Sequence, residues 1–206
     1  LEVLQQLWKQ DQAQYESVKA GMDAISLKCH DLKHILCRIE NKLNQEEINQ
    51  LRNAISVYDS RVKTGNDVLD VVLSEKNLIC TNQGIQFCTM VDGSLLSFLT
   101  PVQTYSIFGN IMDNAIEAVQ KVPEELRIIS LNCQRTSSGI VIEESNYFDG
   151  NPILADGTIT TTKSDQARHG YGIKSIKYIA RQYGGNIETT IQENMFFLRV
   201  FFPMEK

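Results

Sequence analysis

The residues that most clearly suggest a chemical function lie between positions 108 and 119, where polar side chains recur three and four places apart. This spacing makes side chains neighbours on a helix surface. The set comprises two amides and two carboxylates: Asn110, Asp113, Asn114 and Glu117. Their oxygens are the ligand type that Mg²⁺ prefers, and the ion usually takes one or two of them and completes its shell with phosphate and water. The segment predicts either a magnesium and nucleotide site or an ordinary solvated helix face.

Apolar residues on the neighbouring side of this segment predict a helix that packs on a sheet. They are Ile111, Ala115, Ala118 and Val119. Because they recur with the period of an α-helix, we expect a helix from Val102 to about Val122, with its polar flank turned towards a ligand.

A second segment, from Thr161 to Gly185, has the pattern of an anion-binding helix start. Gly170 and Gly172 precede an apolar run of helical period that ends in a glycine pair. Glycines in this place let backbone N–H groups approach an anion, which the helix dipole also favours. With Lys163 close by, the segment predicts the second half of a two-part nucleotide site.

Two histidines, His30 and His34, lie four residues apart on an N-terminal heptad pattern and outside its apolar seam. Their imidazoles are expected to face solvent as accessible nucleophiles, and Asp31 could either orient the ring of His30 or accept its proton. Surface histidines without a function look the same in a sequence. The nucleotide-binding segments downstream favour the functional interpretation.

These motifs resemble those of the GHKL superfamily, which contains the gyrases and the histidine kinases. The run N-I-M-D-N-A-I-E-A from Asn110 resembles the N box, and H-G-Y-G-I-K-S-I from His169 resembles the glycine-rich box. The run C-H-D-L-K-H from Cys29 is similar to the phosphoacceptor box of sensor histidine kinases. The H-D-x-K-H form, and T-T-K-x-D before H-G-Y-G, are similar to the quorum-sensing, peptide-pheromone branch, the accessory-gene-regulator-like kinases. The resemblance covers nearly the whole chain.

The resemblance implies a role for each candidate residue. His30 is the implied phosphoacceptor, Asp31 is the second candidate catalytic residue beside it, and Asn114 is the implied direct ligand of Mg²⁺. ATP and Mg²⁺ are the implied cofactors. The residues implied in binding them are Asn110, Asp113, Asn114, Asn146, Lys163, His169, Gly170 and Gly172. His169 would either cap its helix or touch a phosphate.

Two departures from the usual residues of the family affect the expected chemistry. The gyrase branch has a catalytic glutamate, which activates water, where this chain has Asn110, and an amide cannot act as that base. Nucleotide turnover is therefore expected to go to a histidine and not to water. The usual D-x-G-x-G box, whose aspartate accepts from the adenine amino group, is replaced by the run from Glu143 to Gly150. Asn146 is the candidate acceptor there, with Glu144 and Asp149 as alternatives.

The N-terminal part of the chain predicts a helical hairpin. A heptad pattern runs from Leu1 to Leu43, a polar turn follows, and a second helical pattern runs from Leu51 to Val72. An apolar stripe on a long helix needs a partner, so two hairpins are expected to form a dimeric four-helix bundle. We place this coiled-coil and phosphotransfer module at residues 1–75.

The remainder, residues 76–206, predicts an α+β domain, because short alternating runs are divided by turn residues. Its expected strands are Gly84 to Met90, Arg127 to Gln134, Gly139 to Asn146, Asn186 to Ile191 and Met195 to Phe202. By resemblance this is a GHKL (Bergerat-type) α/β sandwich with a mixed sheet under helices. The segment from Phe148 to Ala167 would be its ATP lid.

Composition limits the class of protein. The chain has 206 residues, of which 42% are hydrophobic, and this suits one large or two small packed domains. The net charge of -5 lacks the basic excess of a nucleic-acid-binding protein, so no direct nucleic-acid contact is expected. Five cysteines without C-x-x-C pairs suit buried or incidental thiols in a reducing compartment. Without a signal peptide or an apolar run of about eighteen residues, this piece is expected to be soluble.

The sequence therefore predicts the cytoplasmic kinase region of a two-component sensor histidine kinase, anchored in the bacterial cell membrane only through a sensor region outside this chain. It would form a homodimer, autophosphorylate on His30 with ATP and Mg²⁺, and pass the phosphoryl group to an aspartate of a response regulator. The alternative is a phosphotransfer or scaffold protein with a degenerate nucleotide domain that docks a response regulator. A GHKL ATPase switch is a third interpretation, which the missing catalytic glutamate disfavours.

Overall fold

The computed structural model describes residues 62–149, 153–155, 158–160 and 171–204, together with helical residues at 6, 9–10, 12–21, 23–24 and 27–28. The predicted phosphoacceptor His30 and its neighbour Asp31 lie outside these residues, as do Lys163, His169 and Gly170. Most of the predicted helical hairpin lies outside them as well. Within the described ranges, no helix is long and apolar enough to cross a bilayer.

Three α-helices and seven strands follow one another within the described part of residues 62–204. The helices are α1 Asp67–Asn82, α2 Pro101–Val119 and α3 Tyr171–Gln182. The strands are β1 Gln86–Val91, β2 Ile128–Arg135, β3 Gly139–Tyr147, β4 Ile153–Ala155, β5 Thr158–Thr160, β6 Asn186–Gln192 and β7 Met195–Pro203. Each strand expected from alternation is present, with its ends shifted by at most two residues.

Five of the strands form a mixed sheet in the order β1-β2-β3-β7-β6. The β1–β2 pair is parallel and the other neighbouring pairs are antiparallel. A parallel pair needs a crossover connection, which α2 supplies between β1 and β2. β4 and β5 form a separate hairpin inside the segment predicted to be the lid. The predicted α+β class with a mixed sheet is confirmed.

α2 lies in the core through the apolar stripe predicted for it. Ile111 and Ala115 are each 1% exposed, and Val119 is fully buried. The start of the helix is set by a capping box, in which Thr100 Oγ1 accepts from the Gln103 backbone N–H and Gln103 Oε1 accepts from the Thr100 N–H. This cap fixes where the helix begins, and the helical period then carries the polar residues 110, 113 and 114 to one flank.

α1 belongs to the same packed unit as the sheet. It begins after Asn66, whose Oδ1 accepts from the backbone N–H groups of Val68 and Leu69 at 3.1 Å each. The helix runs without a break through position 75, where the two domains are predicted to meet. Leu69 and Val72, both before that position, are fully buried in the core that also contains α2.

The described N-terminal helical residues contact α2 through a pair of aromatic rings. Tyr15 packs edge-on against Tyr105, with ring centroids 5.5 Å apart. Tyr105 lies in the first half of α2 and is 4% exposed. The contact therefore places the helical segment that precedes His30 in the chain against the helix that carries the predicted ligands.

Two of the described cysteines are buried free thiols, Cys80 on α1 and Cys133 on β2. Burial raises the pKa of Cys80 to about 11 and that of Cys133 to about 12. Both thiols stay protonated at neutral pH and are therefore poor nucleophiles. Cys88, on the edge strand β1, is exposed.

Replacing Gly139 by alanine should lower the free energy of unfolding by about 1 to 3 kcal/mol, because the new Cβ would meet the backbone oxygen of Phe202 and the ring of Phe201. Those atoms belong to the paired strand β7 and cannot move aside alone. Gly109 is the matched control, since a Cβ there would lie 4.0 Å from Tyr105 Cε1 and alanine favours a helix by about 1 kcal/mol. Urea denaturation followed by circular dichroism compares the two variants, and equal stabilities would contradict the packing of β3 on β7.

Candidate functional site

The polar flank of α2 offers amide oxygens at the edge of the core. Asn110 and Asn114 are half-buried and Asp113 is exposed. The amide of Asn110 is held in place, because its Nδ2 donates to the backbone oxygen of Ser106 at 2.6 Å. With the nitrogen committed in this way, the carbonyl oxygen Oδ1 is turned towards α3, where it lies beside Gly172.

α2 and α3 meet along a seam of small and polar residues that brings the two predicted halves of the site together. Oδ1 of Asn110 lies 2.9 Å from the position that a Cβ of residue 172 would take, so Gly172 leaves room that a side chain would fill. Further along the seam, the hydroxyl oxygens of Ser106 and Ser175 are 3.1 Å apart and hydrogen-bonded. The helix of the glycine motif is thereby held against the helix of the amides.

At the other end of this seam, Gln103 of α2 contacts the C-terminal end of α3 and the residue after it. Its Nε2 donates to Gln182 Oε1 at 3.0 Å, and its Oε1 accepts from the Tyr183 hydroxyl at 2.7 Å. Gln103 is 4% exposed, so these bonds satisfy a buried amide that would be costly to leave unpaired. α3 cannot shift along α2 without leaving the buried side chains of Gln103 and Ser106 short of hydrogen bonds.

Lys76 of α1 is a charged neighbour of the site that the sequence interpretation missed. Its Nζ lies 2.7 Å from Asp113 Oδ1 and 3.6 Å from Glu75 Oε1, and its side chain is 5% exposed. Asp113, predicted to contact the nucleotide, thus has a cationic partner on the neighbouring helix. Burial raises the pKa of Glu75, and the ammonium group of Lys76 opposes part of that rise.

A signal for Lys76 is visible in the sequence of α1. Lys76 follows the buried Leu69 and Leu73 by seven and three residues, so it falls on the apolar stripe of the helix. A lysine at such a position is rarely buried unless it is paired. The pattern indicates a partner without revealing which carboxylate supplies it.

β3 presents two polar residues on the face of the sheet that carries the core. Asn146 is 1% exposed and Glu144 is 2% exposed, and strand alternation places both on the same face as the buried Ile142. Nδ2 of Asn146 donates to the backbone oxygen of Tyr147 at 2.7 Å, which leaves its Oδ1 as the acceptor. Asp149, the other predicted alternative, is exposed just beyond the end of β3.

Glu144 is the least satisfied polar residue in this part of the sheet. Its Oε1 is buried and has no hydrogen-bond partner among the residues that the structure describes. Burial alone raises the pKa of this carboxyl well above its ordinary value of 4.5. Buried polar atoms without partners are rare in folded proteins, and among the described side chains Oε2 of Glu75 is the other one.

The donor set of α2 fits a magnesium ion that is shared with phosphates. The described residues contain no group of three or more His, Cys, Asp or Glu side chains placed to hold a metal. What α2 offers is a pair of neutral amide carbonyls, Asn110 and Asn114, on successive turns of the helix. Mg²⁺ usually takes one or two protein oxygens and several from phosphate and water, so these residues suit it as a partner of a nucleotide.

Comparisons with known proteins find a matching family model and similar solved structures. A family model for the GHKL domain matches residues 99–203, about half of the chain. No curated protein matches the chain. Among solved structures, the chain is similar to two nucleotide-free crystal forms of the catalytic domain of the histidine kinase ThkA. One has 20% identity and a TM-score of 0.49 over 68% of this chain and 93% of that domain; the other has 18% identity and a TM-score of 0.49 over 66% and 92%.

Glu144→Gln should remove a pH dependence of stability that the buried carboxyl creates. In the folded state Glu144 holds its proton more tightly than in the unfolded chain, so above pH 4.5 the folded state binds more protons. The free energy of unfolding then falls as the pH rises towards the raised pKa, by up to about 1.4 kcal/mol per pH unit. Urea denaturation of both proteins between pH 4.5 and 8 measures the difference, to which Glu75 contributes equally in each. Parallel curves would show that Glu144 is not buried as described.

Proposed function

The chain belongs to the GHKL family, and from this premise we propose that it is the kinase region of a two-component sensor histidine kinase. In this proposal His30 attacks the γ-phosphorus of ATP, the bond between that phosphorus and the bridging oxygen breaks, and ADP leaves. The phosphoryl group then passes to an aspartate of a response regulator. The form of the phosphoacceptor box favours the quorum-sensing, peptide-pheromone branch of these kinases.

The observation that carries the proposal is the state of Asn110. An amide has no basic site with which to take a proton from water, and this one is tied to Ser106 by a hydrogen bond of 2.6 Å. The nearest carboxylate in the same helical turn, Asp113, is ion-paired with Lys76 at 2.7 Å. Among the described residues, position 110 therefore offers an oxygen ligand for a metal ion bound to phosphates but no general base for hydrolysis, which supports transfer to a histidine nucleophile.

Each part of the nucleotide has a proposed set of partners. Asn114 would hold Mg²⁺, with Asn110 and Asp113 on the same side of α2. Mg²⁺ bound there would neutralise negative charge on the phosphate oxygens. The proposed phosphate contacts are Lys163, His169, Gly170 and Gly172. Phosphoryl transfer requires mainly alignment and charge neutralisation from a protein, and amides, glycines and a lysine can provide both.

Asn146 is the proposed acceptor of the adenine amino group. It is 1% exposed, and its amide nitrogen is committed to the backbone oxygen of Tyr147. Its carbonyl oxygen can therefore accept a hydrogen bond without carrying a charge. In this proposal Asn146 takes the place of the usual aspartate, so the site retains a hydrogen-bond acceptor for the adenine amino group.

The region is proposed to assemble as a homodimer. Residues 1–75 would form a dimeric four-helix bundle that presents His30, with Asp31 orienting its ring or accepting its proton, and residues 76–206 would bring ATP to it. The region would act in the cytoplasm, attached to the cell membrane through a sensor region outside this chain. Its second partner would be the response regulator.

Incubation with γ-labelled ATP and Mg²⁺ should label the chain with a phosphate that is stable in alkali and lost in acid, as expected of a phosphohistidine. Changing His30→Gln should abolish the label, because the attacking nitrogen is removed, while His34→Gln should retain it. Circular dichroism confirms that both variants are folded. Steady release of inorganic phosphate without protein labelling would instead indicate an ATPase.

Asn114→Ala should weaken the binding of ATP in the presence of Mg²⁺ by about tenfold, because a charge-assisted contact is lost. In EDTA the variant and the unmodified chain should bind ATP alike. The matched control is Gln120→Ala, at the exposed end of the same helix, where the amide donates to Gln83 Oε1 at 2.7 Å. Isothermal titration calorimetry measures all three proteins. A folded chain that binds no ATP would favour the alternative, a phosphotransfer or scaffold protein with a degenerate nucleotide domain.

A further inference from the structure

Glu144 is a polar residue on the core-facing side of the sheet, where the surrounding residues are apolar. Its cross-strand neighbours are Leu131 on β2 and Leu198 on β7, which are 1% and 2% exposed. Between them the carboxyl is 2% exposed and its Oε1 has no partner among the described residues. A leucine would fill the same place without the desolvation that a carboxyl suffers there. The position therefore works against stability unless the carboxyl contacts a ligand.

The neighbour of Glu144 on this face is Asn146. The two residues lie two places apart on β3, so their side chains leave the strand on the same side, with Cα atoms about 7 Å apart. Asn146 is flanked across the strands by Ile129 and Phe196. The two polar side chains thus adjoin each other within a buried apolar surface, and a flat aromatic ring inserted against that surface would meet both of them.

We infer that Glu144 is a second reader of the nucleobase, which donates a hydrogen bond to a ring nitrogen of adenine next to the amino group accepted by Asn146. The inference rests on the proposed ATP-binding function and adds to it the residue that selects the base. A carboxyl donates only when it is protonated, and its burial favours that form. A protonated carboxyl has one O–H donor and one carbonyl acceptor.

The combination of the two residues distinguishes adenine from guanine. In adenine the amino group donates to Asn146 and the adjacent ring nitrogen accepts from Glu144. In guanine the corresponding exocyclic atom is a carbonyl oxygen and the adjacent ring nitrogen carries a hydrogen. Glu144 could meet that hydrogen with its carbonyl oxygen, but Asn146 has no donor for the exocyclic oxygen, because its amide nitrogen already donates to Tyr147. A site that is built to hydrogen-bond one group strongly rejects a ligand that leaves its buried polar atoms unpaired.

The test is isothermal titration calorimetry of the whole chain in Mg²⁺ with three ligands: ATP, GTP and inorganic tripolyphosphate. Glu144→Leu should weaken ATP binding about tenfold and leave GTP and tripolyphosphate unchanged, so that the preference for ATP over GTP falls by the same factor. Glu144→Gln should keep ATP binding close to that of the unmodified chain, since its amide can still donate. Glu143→Gln is the matched control, because that carboxylate is partly exposed and pairs with Arg199 at 3.3 Å.

The outcomes separate this inference from the function on which it rests. An unmodified chain that binds no ATP overturns both. If the unmodified chain binds ATP and Glu144→Leu leaves the ratio of ATP to GTP affinity unchanged, the kinase proposal stands and Glu144 does not read the base. If Glu144→Leu weakens all three ligands alike, the residue acts on the shape of the site, and the inference is overturned in that case as well.

Discussion

The constraint on which the site depends is the hydrogen-bonded seam between α2 and α3, in which the α2 residues Gln103 and Ser106 are buried. Apolar residues of α3, such as Ile176 and Ile179, are buried in the core. Apolar contacts of this kind tolerate small shifts of the helix. Hydrogen bonds between buried polar groups do not, because a shift leaves donors and acceptors without partners. Ser106 with Ser175, and Gln103 with Gln182, therefore fix the spacing of the two helices. That spacing places Gly172 beside Asn110.

The two buried ionisable residues Lys76 and Glu144 differ in how their burial is compensated. Lys76 is buried but paired, so its charge is compensated by Asp113, whose side chain is 60% exposed and can still face a ligand. Glu144 is buried and has no partner for Oε1 among the described residues, so its neutral form is favoured. Lys76 therefore places a paired charge beside the polar flank of α2, whereas burial favours the protonated form of Glu144 within the sheet.

The contact between Tyr15 and Tyr105 links this arrangement to the N-terminal helical residues. Tyr105 lies between Gln103 and Ser106 in sequence, so the ring that receives the N-terminal helix belongs to the same turns of α2 as the seam. A displacement of Tyr15 would therefore bear on the part of α2 that holds α3. Packed side chains of this kind are the physical route by which two parts of a protein are coupled.

The helices and strands, and the polar residues that contribute to the site, could be predicted from local spacing in the sequence. Apolar periodicity predicted α2, alternation predicted the strands, and Asn110 with Gly172 was assigned to one site, because these patterns depend on residues a few places apart. The tertiary structure alone decided the pairs: Lys76 with Asp113, and Ser106 with Ser175, which are 69 residues apart in sequence. It also decided that Glu144 is buried without a partner. Periodicity is a property of one element, whereas pairing and desolvation depend on which elements come together.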